Sequence, residues 1–315
     1  MSTPPFLELP PGTHRVALSV AAGPLSALEA SPPEDVEVRA EVICVPGFTG
    51  SKEDFLPMLE PLSRAGLRVL SVDQRGQCDS PGLPLQTPYT LRGYGEELRE
   101  LIAQRAEAGV PVHLVAHSFG GMVARRALID GSRLPLATVT LLGTGPSSVP
   151  APASYRVRFF LAVTKMLHPV TGHRLLLLDR HPDPAVQAFI RHRIRGNDRR
   201  ALRAMARWLI SEPDQVDELA AVLRRDELPC LVLCGADEST WSAAEQRAMA
   251  ERLDVPFTAI PDAGHSVNVQ QPERLVEALL DFWAGAGAEQ TGGTRGAEPA
   301  GSARSAAEGA EQAAR

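Results

Sequence analysis

Ser118 is the residue of this chain whose surroundings most clearly suggest chemistry. It follows the apolar run Val112–Ala116, precedes a helical pattern, and lies two positions from each of the small residues Ala116 and Gly120. A serine on a tight strand-to-helix turn has a strained backbone, and large side chains at those two positions would collide. The hydroxyl would then project from the edge of a sheet as a candidate nucleophile. Because A-x-S-x-G also occurs by chance in loops, residues elsewhere in the chain must show whether Ser118 is a nucleophile.

A base and an acid follow later in the chain, each soon after an apolar segment. His265 follows Phe257–Ile260, and the carboxylates Asp237 and Glu238 follow Cys230–Cys234. A serine hydroxyl is weakly nucleophilic unless a base takes its proton, and an imidazole can take that proton and return it to a leaving group. A carboxylate would fix the tautomer of the imidazole and stabilise its cation. The order serine, acid, histidine therefore predicts nucleophilic catalysis.

His117 is beside the serine, but the pattern does not favour it as the base. Successive residues of a strand point to opposite faces, so we expect His117 to pack or hydrogen-bond on the side away from Ser118. The position of His265 at the end of a strand favours that histidine instead. Asp237 and Glu238 should point in different directions from one loop. Only one of them is expected to reach His265, and the residues alone leave both open.

The elements that must position these residues alternate between strand and helix. Near-continuous apolar runs separated by helical patterns predict a mostly parallel, doubly wound α/β sheet, with a short antiparallel hairpin at one edge. Ligands bind beyond the carboxyl ends of such strands, which is where the serine, the histidine and the acids all fall. The predicted strands are Val16–Ser19, Leu25–Glu29, Val38–Val45, Arg68–Val72, Val112–Ala116, Ala137–Leu142, Cys230–Cys234 and Phe257–Ile260. The predicted core helices are Ser51–Ala65, Thr90–Glu107, Phe119–Ile129 and Glu273–Trp283.

The middle and the end of the chain depart from this alternation. Residues 145–228 show helical stretches without strands, which predicts an all-helical cap inserted between two parts of the α/β core, residues 1–144 and 229–285. Residues 286–315 are rich in Ala, Gly, Glu and Arg with almost no large apolar residues, so we predict a disordered tail. The predicted cap helices are Tyr155–Leu167, Pro184–Ile194 and Arg199–Ile210.

Composition limits the classes of function. The 315 residues are 44% hydrophobic and 22% charged, with a formal net charge of −6, which is ordinary for a globular protein and gives no global attraction for nucleic acid. No run approaches the roughly 20 apolar residues of a membrane span. The first residues lack the basic and apolar regions of a signal peptide, so we expect a cytoplasmic protein. The four cysteines lack the spacing of a redox or metal motif.

With these motifs in this order, the chain from about Glu41 to Trp283 resembles the α/β-hydrolase superfamily, in particular its lid-bearing esterases and lipases. The resemblance implies the fold of that name with a variable helical cap, and neither a metal nor an organic cofactor. In that family the acid follows a glycine and two further residues, a spacing that favours Glu238 over Asp237.

The resemblance also implies two oxyanion donors, which must be backbone N–H groups. Phe119, the residue after the nucleophile, would supply one donor, and Phe48 of the Gly47-Phe48 turn would supply the other. Pro46 stands where the family usually has a histidine that hydrogen-bonds locally. Residues 73–76 (Asp-Gln-Arg-Gly) match a structural turn of the family whose Asp and Arg tie down the loop near the serine.

The activity implied by the resemblance is hydrolysis of a small or medium-sized carboxylic ester through an acyl-serine intermediate. The partner would be a small ester-like molecule rather than a nucleic acid. The same residues would also serve a thioesterase, a lactonase, a C–C bond hydrolase, a perhydrolase or a lyase. A ligand-binding protein with slow or no turnover is a further alternative on the same scaffold.

The predicted cap offers apolar and basic residues that each have two interpretations. Its apolar positions could line an acyl pocket or simply pack the helices; they include Phe159, Phe160, Leu161, Leu175–Leu178, Phe189 and Trp208. Its arginines could attract an anionic substrate or an acidic partner, or form the solvated faces of amphipathic helices. These arginines are Arg191, Arg193, Arg195, Arg199, Arg200, Arg203 and Arg207.

Overall fold

An eight-stranded sheet forms the centre of the molecule. The computed structural model describes residues 2–166 and 181–292. The strands lie in the order β1-β2-β4-β3-β5-β6-β7-β8; β1, β2 and β4 pair antiparallel, and all other pairs are parallel. This confirms the predicted α/β class with an antiparallel hairpin at one edge. The strands are β1 Thr13–Val20, β2 Gly23–Ala30, β3 Ala40–Val45, β4 Leu67–Val72, β5 Val112–His117, β6 Thr138–Leu142, β7 Cys230–Gly235 and β8 Phe257–Ile260.

Helices cover both faces of the sheet. Every residue of β3, β5, β6 and β7 is buried, as apolar strands in the middle of a doubly wound sheet require. The helices are α1 Leu56–Arg64, α2 Leu91–Ala106, α3 Phe119–Ile129, α4 Ala153–Met166, α5 Pro184–Gly196, α6 Arg199–Leu209, α7 Val216–Asp226, α8 Ala243–Leu253, α9 Val267–Gln270 and α10 Pro272–Gly292. One apolar core packs α1 and α10 against the sheet, and the other packs α2, α3, α7 and α8 against the opposite face.

The register of the parallel strands brings the functional loops together. Val45, the last residue of β3, is paired with Ala116 of β5, and His117 is paired with Leu142 of β6. Gly235 at the end of β7 is paired with Ile260 at the end of β8. The loops that follow these strands therefore all leave the same edge of the sheet.

The described helices between β6 and α7 form the cap, and a buried ion pair ties one of them to the core. Arg193 of α5 is fully buried and donates to Asp54 Oδ1 at 2.7 Å and to the carbonyl of Ser2 at 2.7 Å. The N-terminal segment is held at a second point, because the Ser2 and Ser266 hydroxyls lie 2.9 Å apart. Ser266 is the neighbour of His265, so this segment and α5 both pack close to the candidate base.

Two of the predicted boundaries need correction. The predicted helix Ser51–Ala65 is a short 3-10 helix, Lys52–Phe55, followed by α1. The reason is that Pro57 has no N–H with which to continue an α-helical ladder from the preceding turn. The last helix extends to Gly292, past the predicted start of the disordered tail; the three alanines among residues 284–288 favour helix, whereas Gly285 and Gly287 between them oppose it. Residues 293–315 of that predicted tail, and Leu167 and Leu175–Leu178 of the cap, lie outside the described residues.

Three helices have no counterpart among the predicted elements: α7, α8 and the short α9, Val267–Gln270. Helix α7 falls within the predicted cap region, yet Leu219 and Leu223 belong to the same apolar core as α3. Helix α8 starts at a Ser242–Glu245 capping box, a local signal that is present in the sequence. Among the described helices, none is both long and apolar enough to cross a bilayer.

Candidate active site

Ser118 lies on the turn between β5 and α3 in a strained conformation. Its φ of 54° is unusual for a residue with a side chain. The turn also has no room for larger neighbours, because a Cβ on Gly120 would lie 2.6 Å from the carbonyl oxygen of Val45. A Cβ on Gly121 would lie 2.4 Å from the side chain of Thr144. The structure thus explains why small residues follow this serine.

Ser118, His265 and Glu238 form one hydrogen-bonded chain. His265 Nε2 lies 2.9 Å from Ser118 Oγ, and His265 Nδ1 lies 2.7 Å from Glu238 Oε2. An ionised carboxylate only accepts hydrogen bonds, so Nδ1 carries the proton and Nε2 accepts from the hydroxyl. The other carboxylate oxygen accepts from the backbone N–H of Thr240 at 2.7 Å. The arrangement can take a proton from the serine and stabilise the imidazolium that results.

Burial distinguishes the two candidate acids. The Glu238 side chain has no exposed surface, whereas Asp237 is exposed. The backbone N–H of Asp237 donates to the carbonyl of Ala263 at 2.9 Å, which fixes the loop beside the segment that carries His265. Of the two adjacent carboxylates, the structure therefore brings only Glu238 to the imidazole.

Phe48 and Phe119 have free backbone N–H groups near the serine. Within the described part of the chain, neither amide nitrogen donates a hydrogen bond to another residue. Phe119 is the first residue of α3, where N–H groups have no partner inside the helix. Phe48 follows Gly47, which approaches the serine so closely that a Cβ on it would lie 2.9 Å from the Cβ of Ser118. Two unpaired donors beside a nucleophile could bind a developing oxyanion.

His117 contacts the backbone of the candidate base. Its Nε2 donates to the carbonyl of His265 at 2.8 Å, and the two rings lie 5.0 Å apart. Burial lowers the pKa of His117 to about 3, so the ring is neutral near pH 7. His117 does form a hydrogen bond, as expected, but its partner is 148 positions away and the ring lines the same cavity as Ser118 rather than lying on the side away from it. The function of that bond, which holds the His265 segment in place, could not be read from the sequence.

Two glutamines that sequence reasoning missed hold the loop that carries Phe48. Gln74 donates to the carbonyl of Pro46 at 2.8 Å, and Gln77 donates to the carbonyl of Gly47 at 3.0 Å. Asp73 and Arg75, which the family resemblance suggested for this purpose, bond elsewhere. Asp73 accepts from the N–H and the ammonium of Lys52, whereas Arg75 donates to Glu97 and to the carbonyls of Gly23 and Pro24.

The buried Lys52 occupies the centre of an acidic cluster next to this loop. Its ammonium lies 2.6 Å from Asp73, 2.7 Å from Asp79 and 3.3 Å from Glu53. Burial alone lowers the pKa of Lys52, but the surrounding carboxylates raise it above its ordinary value, so the ammonium stays charged. Two groups of possible metal ligands meet here among the described residues, Cys78 with Asp79 and His192, and Cys78 with Glu53 and Asp73. The lysine already neutralises part of their charge.

Cys78 does not have the surroundings of a reactive thiol. Its side chain is buried, and burial followed by the nearby carboxylates raises its pKa well above the ordinary range. A thiol rather than a thiolate is therefore expected at neutral pH. All four cysteines are free and buried.

A cavity of about 550 Å³ opens at Ser118 and His265. The loop Gly47–Gly50 forms one wall, and Phe159 and Phe160 of α4 form another. The edge of the Phe160 ring contacts Phe48 at a centroid distance of 5.3 Å. Of the apolar cap positions considered from the sequence, Phe159 and Phe160 line this cavity; Leu161, Phe189 and Trp208 do not. The cavity is large enough for a small or medium-sized organic molecule.

Comparison with known proteins agrees with this architecture. The family model described as the alpha/beta hydrolase family matches residues 42–278 of the chain. The sn-1-specific diacylglycerol lipase of Mus musculus is 25% identical over 260 residues, covering 77% of this chain and 80% of that protein. The 2-(acetamidomethylene)succinate hydrolase of Mesorhizobium japonicum is 24% identical over 249 residues, covering 75% and 85% of the two chains.

Solved structures show the same fold. A thermophilic esterase from Thermogutta terrifontis is 24% identical and superposes with a TM-score of 0.65, covering 87% of this chain and 99% of that chain. At this level of identity the similarity concerns the fold rather than the substrate.

Proposed function

The chain belongs to the alpha/beta hydrolase family, and we propose that it is a serine hydrolase that cleaves a carboxylic ester through an acyl-serine intermediate. The observation that carries the proposal is the hydrogen-bonded chain from Ser118 through His265 to Glu238, at the mouth of a cavity. Diacylglycerol lipase and esterase activities among its relatives and structural neighbours are consistent with an ester substrate.

In the proposed reaction, Ser118 Oγ attacks the ester carbonyl while His265 Nε2 takes its proton. The negative charge that develops on the carbonyl oxygen is stabilised by the N–H groups of Phe48 and Phe119. The imidazolium, paired with Glu238, then protonates the departing alcohol. Water enters by the same route, with His265 as its base, and releases the acid. No step requires a group beyond this chain, the ester and water.

The cavity supports an acyl group of moderate size. Phe159 and Phe160 provide apolar surface on the cap side, and Val149 and Leu209 extend it. The burial of apolar carbon against these side chains favours binding by about 0.8 kcal/mol per methylene group. We therefore expect medium-chain acyl esters to be hydrolysed with a higher kcat/KM than acetate esters.

The test is hydrolysis of p-nitrophenyl esters of increasing acyl length by the wild type and by Ser118→Ala. Wild type should hydrolyse them, and Ser118→Ala should lose at least about a thousandfold in kcat, because the attacking oxygen is gone. Parallel assays with thioesters and lactones establish which acyl compound is preferred. An equal rate in Ser118→Ala would disprove the proposed nucleophile, and no hydrolysis by wild type would leave a ligand-binding function as the better account.

A further inference from the structure

The described helices of the cap carry positive charge only. Helices α4, α5 and α6 contain two, three and four arginines respectively, and none of the three contains an aspartate or a glutamate. The whole chain, in contrast, has a net charge of −6. The cap is thus a basic region on an otherwise acidic molecule. Such charge asymmetry creates a local potential that attracts anions.

Part of this charge has no internal counterion. Arg203 of α6 donates to the carbonyl of Leu161 and to Thr164 Oγ1, and desolvation followed by the nearby Arg207 and Arg199 lowers its pKa. Among the residues that the structure describes, neither Arg203 nor Arg207 forms an ion pair with a carboxylate. The same holds for Arg156 and Arg158 of α4. Arg156, Arg158 and Arg207 are exposed and can meet an external anion, whereas the partly buried Arg203 guanidinium already donates to two acceptors of α4.

Helix α4 also exposes aromatic side chains next to this charge. Tyr155 is 65% exposed and Phe159 is 49% exposed, which is unusual for large hydrophobic residues. Their i, i+4 spacing places them on one side of the helix, and Arg158 lies beside them. Tyr155, Arg156 and Phe159 also line the cavity that contains Ser118. The two exposed rings and Arg156 therefore lie at the mouth of the proposed active site.

From these observations we propose that the outer surface of the cap docks on an anionic lipid surface. This cap surface consists of Tyr155, Arg156, Arg158, Phe159, Arg203 and Arg207. Arginines near a bilayer are attracted by anionic headgroups, and aromatic rings favour the boundary between headgroups and acyl chains. An acidic protein would satisfy the arginines. A lipid bilayer fits this surface better than an acidic protein does, because the mouth of an apolar cavity lies beside the two exposed rings. An acyl chain could then pass from the bilayer to the cavity without crossing water.

The test is co-sedimentation of the full chain with vesicles of phosphatidylcholine alone or with one quarter phosphatidylglycerol, at low and high salt. The wild type should bind the anionic vesicles more tightly, and salt should weaken this binding. Arg158→Glu combined with Arg207→Glu should weaken it by more than about tenfold. Neither side chain lines the cavity, so hydrolysis of a soluble short-chain ester should be unchanged in this variant. Phe159→Ser should weaken the binding that persists at high salt.

The matched control reverses two exposed arginines at the opposite edge of the sheet. Arg39 and Arg133 precede the amino ends of β3 and β6, so Arg39→Glu combined with Arg133→Glu makes the same change in net charge. This variant should bind vesicles like the wild type. Equal loss in both double variants, or no preference for anionic vesicles, would overturn the proposal. Binding of soluble polyglutamate without binding of vesicles would overturn it in favour of an acidic polypeptide.

In this design, the proposed lipid surface and the proposed ester hydrolysis can be refuted independently. Ser118→Ala leaves the cap surface intact and should bind anionic vesicles like the wild type, whatever the reaction proves to be. A wild type that binds vesicles but hydrolyses no ester would leave the lipid surface standing and refute the proposed function.

Discussion

Glu238 shows what a single buried carboxylate contributes to the candidate site. It accepts from His265 with one oxygen and from the N–H of Thr240 with the other, so both oxygens are occupied and the side chain is fixed. Asp237 has the same charge and precedes it directly, but its exposed side chain contributes nothing to the imidazole. The difference lies in orientation rather than in residue type.

We predict that Glu238→Gln lowers kcat for a p-nitrophenyl ester by about 10³- to 10⁴-fold, because a neutral amide neither stabilises the imidazolium nor secures the tautomer. Asp237→Asn is the matched control and should retain wild-type kcat within about twofold, because surface changes away from a site have small effects. Steady-state kinetics of both variants, after circular dichroism has shown that they are folded, provide the comparison. A large loss in Asp237→Asn with little loss in Glu238→Gln would mean that the loop is placed wrongly.

At the residue scale, the sequence signals for Ser118 and His265 are stronger than those for the residues that contact them. The serine has small neighbours and the histidine follows an apolar strand, and both patterns are local. Gln74 and Gln77 act through contacts with residues 28 and 30 positions away, and the Lys52 ammonium contacts Asp73 and Asp79, 21 and 27 positions away. A polar side chain leaves no periodic pattern that would indicate such a contact. The residues alone left the choice between the two adjacent acids open for a similar reason, because a loop has no fixed alternation of side-chain direction; the family spacing favoured Glu238.

At the scale of elements, strand β5 joins the site to the packing of the last helix. Its end carries the serine turn, and His113 near its start is buried between neighbouring elements. The ring of His113 stacks on Trp283 of α10 at 4.6 Å, and Nδ1 lies 2.9 Å from Thr138 Oγ1 of β6. Burial lowers the pKa of His113 to about 4. A charged imidazole at this junction would therefore oppose the packing of α10 on the sheet.

The lowered pKa of His113 predicts how the free energy of unfolding depends on pH. The ordinary pKa of histidine is about 6.5, so between pH 6.5 and 4 the unfolded chain binds a proton at this position that the folded chain does not. The contribution of neutral His113 is present above pH 6.5 and is lost as the pH falls, by about 1.4 kcal/mol per unit. His113→Phe keeps the stacking and removes the titration. The free energy of unfolding of wild type relative to His113→Phe should fall by about 2 kcal/mol from pH 7 to pH 4.5.

Urea denaturation of both proteins at several pH values measures that difference, in which all other titrating groups cancel. A constant difference across the range would contradict the burial of a neutral histidine between β5, β6 and α10. A difference that grows as the pH falls would mean that the folded state binds the proton more tightly, which is the opposite sign.

The sequence predicted the elements well where the apolar pattern was continuous. The buried strands of the sheet were found within about two residues because most of their residues are apolar. Helices α7 and α8 were not singled out, since their apolar faces pack on the core while many of their other residues are charged. The break before α1 depends on one proline, and the extension of α10 runs through an alanine- and glycine-rich segment that carries little hydrophobic signal.

At the scale of the whole molecule, the parallel strands bring four distant segments to one edge. The loops after β3, β5, β7 and β8 carry Phe48, Ser118, Glu238 and His265, and the strand order makes these loops neighbours. The sequence could predict this convergence because it follows from the general rule for open α/β sheets. It could not predict how the cap attaches, since the Arg193–Asp54 pair joins residues 139 positions apart.

The distribution of charge is also a property of the whole molecule. The arginines of the cap were visible in the sequence, but a solvated surface and a binding surface gave the same pattern there. The structure adds exposed aromatic residues and the mouth of the cavity at the same place. This combination, rather than the number of charges, is what favours the proposed binding surface.

The central claim, that Ser118 is an activated nucleophile, is tested most directly by labelling with a fluorophosphonate probe and locating the adduct by mass spectrometry. An activated serine attacks the phosphorus and forms a stable adduct that ordinary serines do not form. The account predicts one adduct per chain in the wild type, located on Ser118, and none in Ser118→Ala. An unlabelled wild type, or an adduct on another residue that persists in Ser118→Ala, would contradict it.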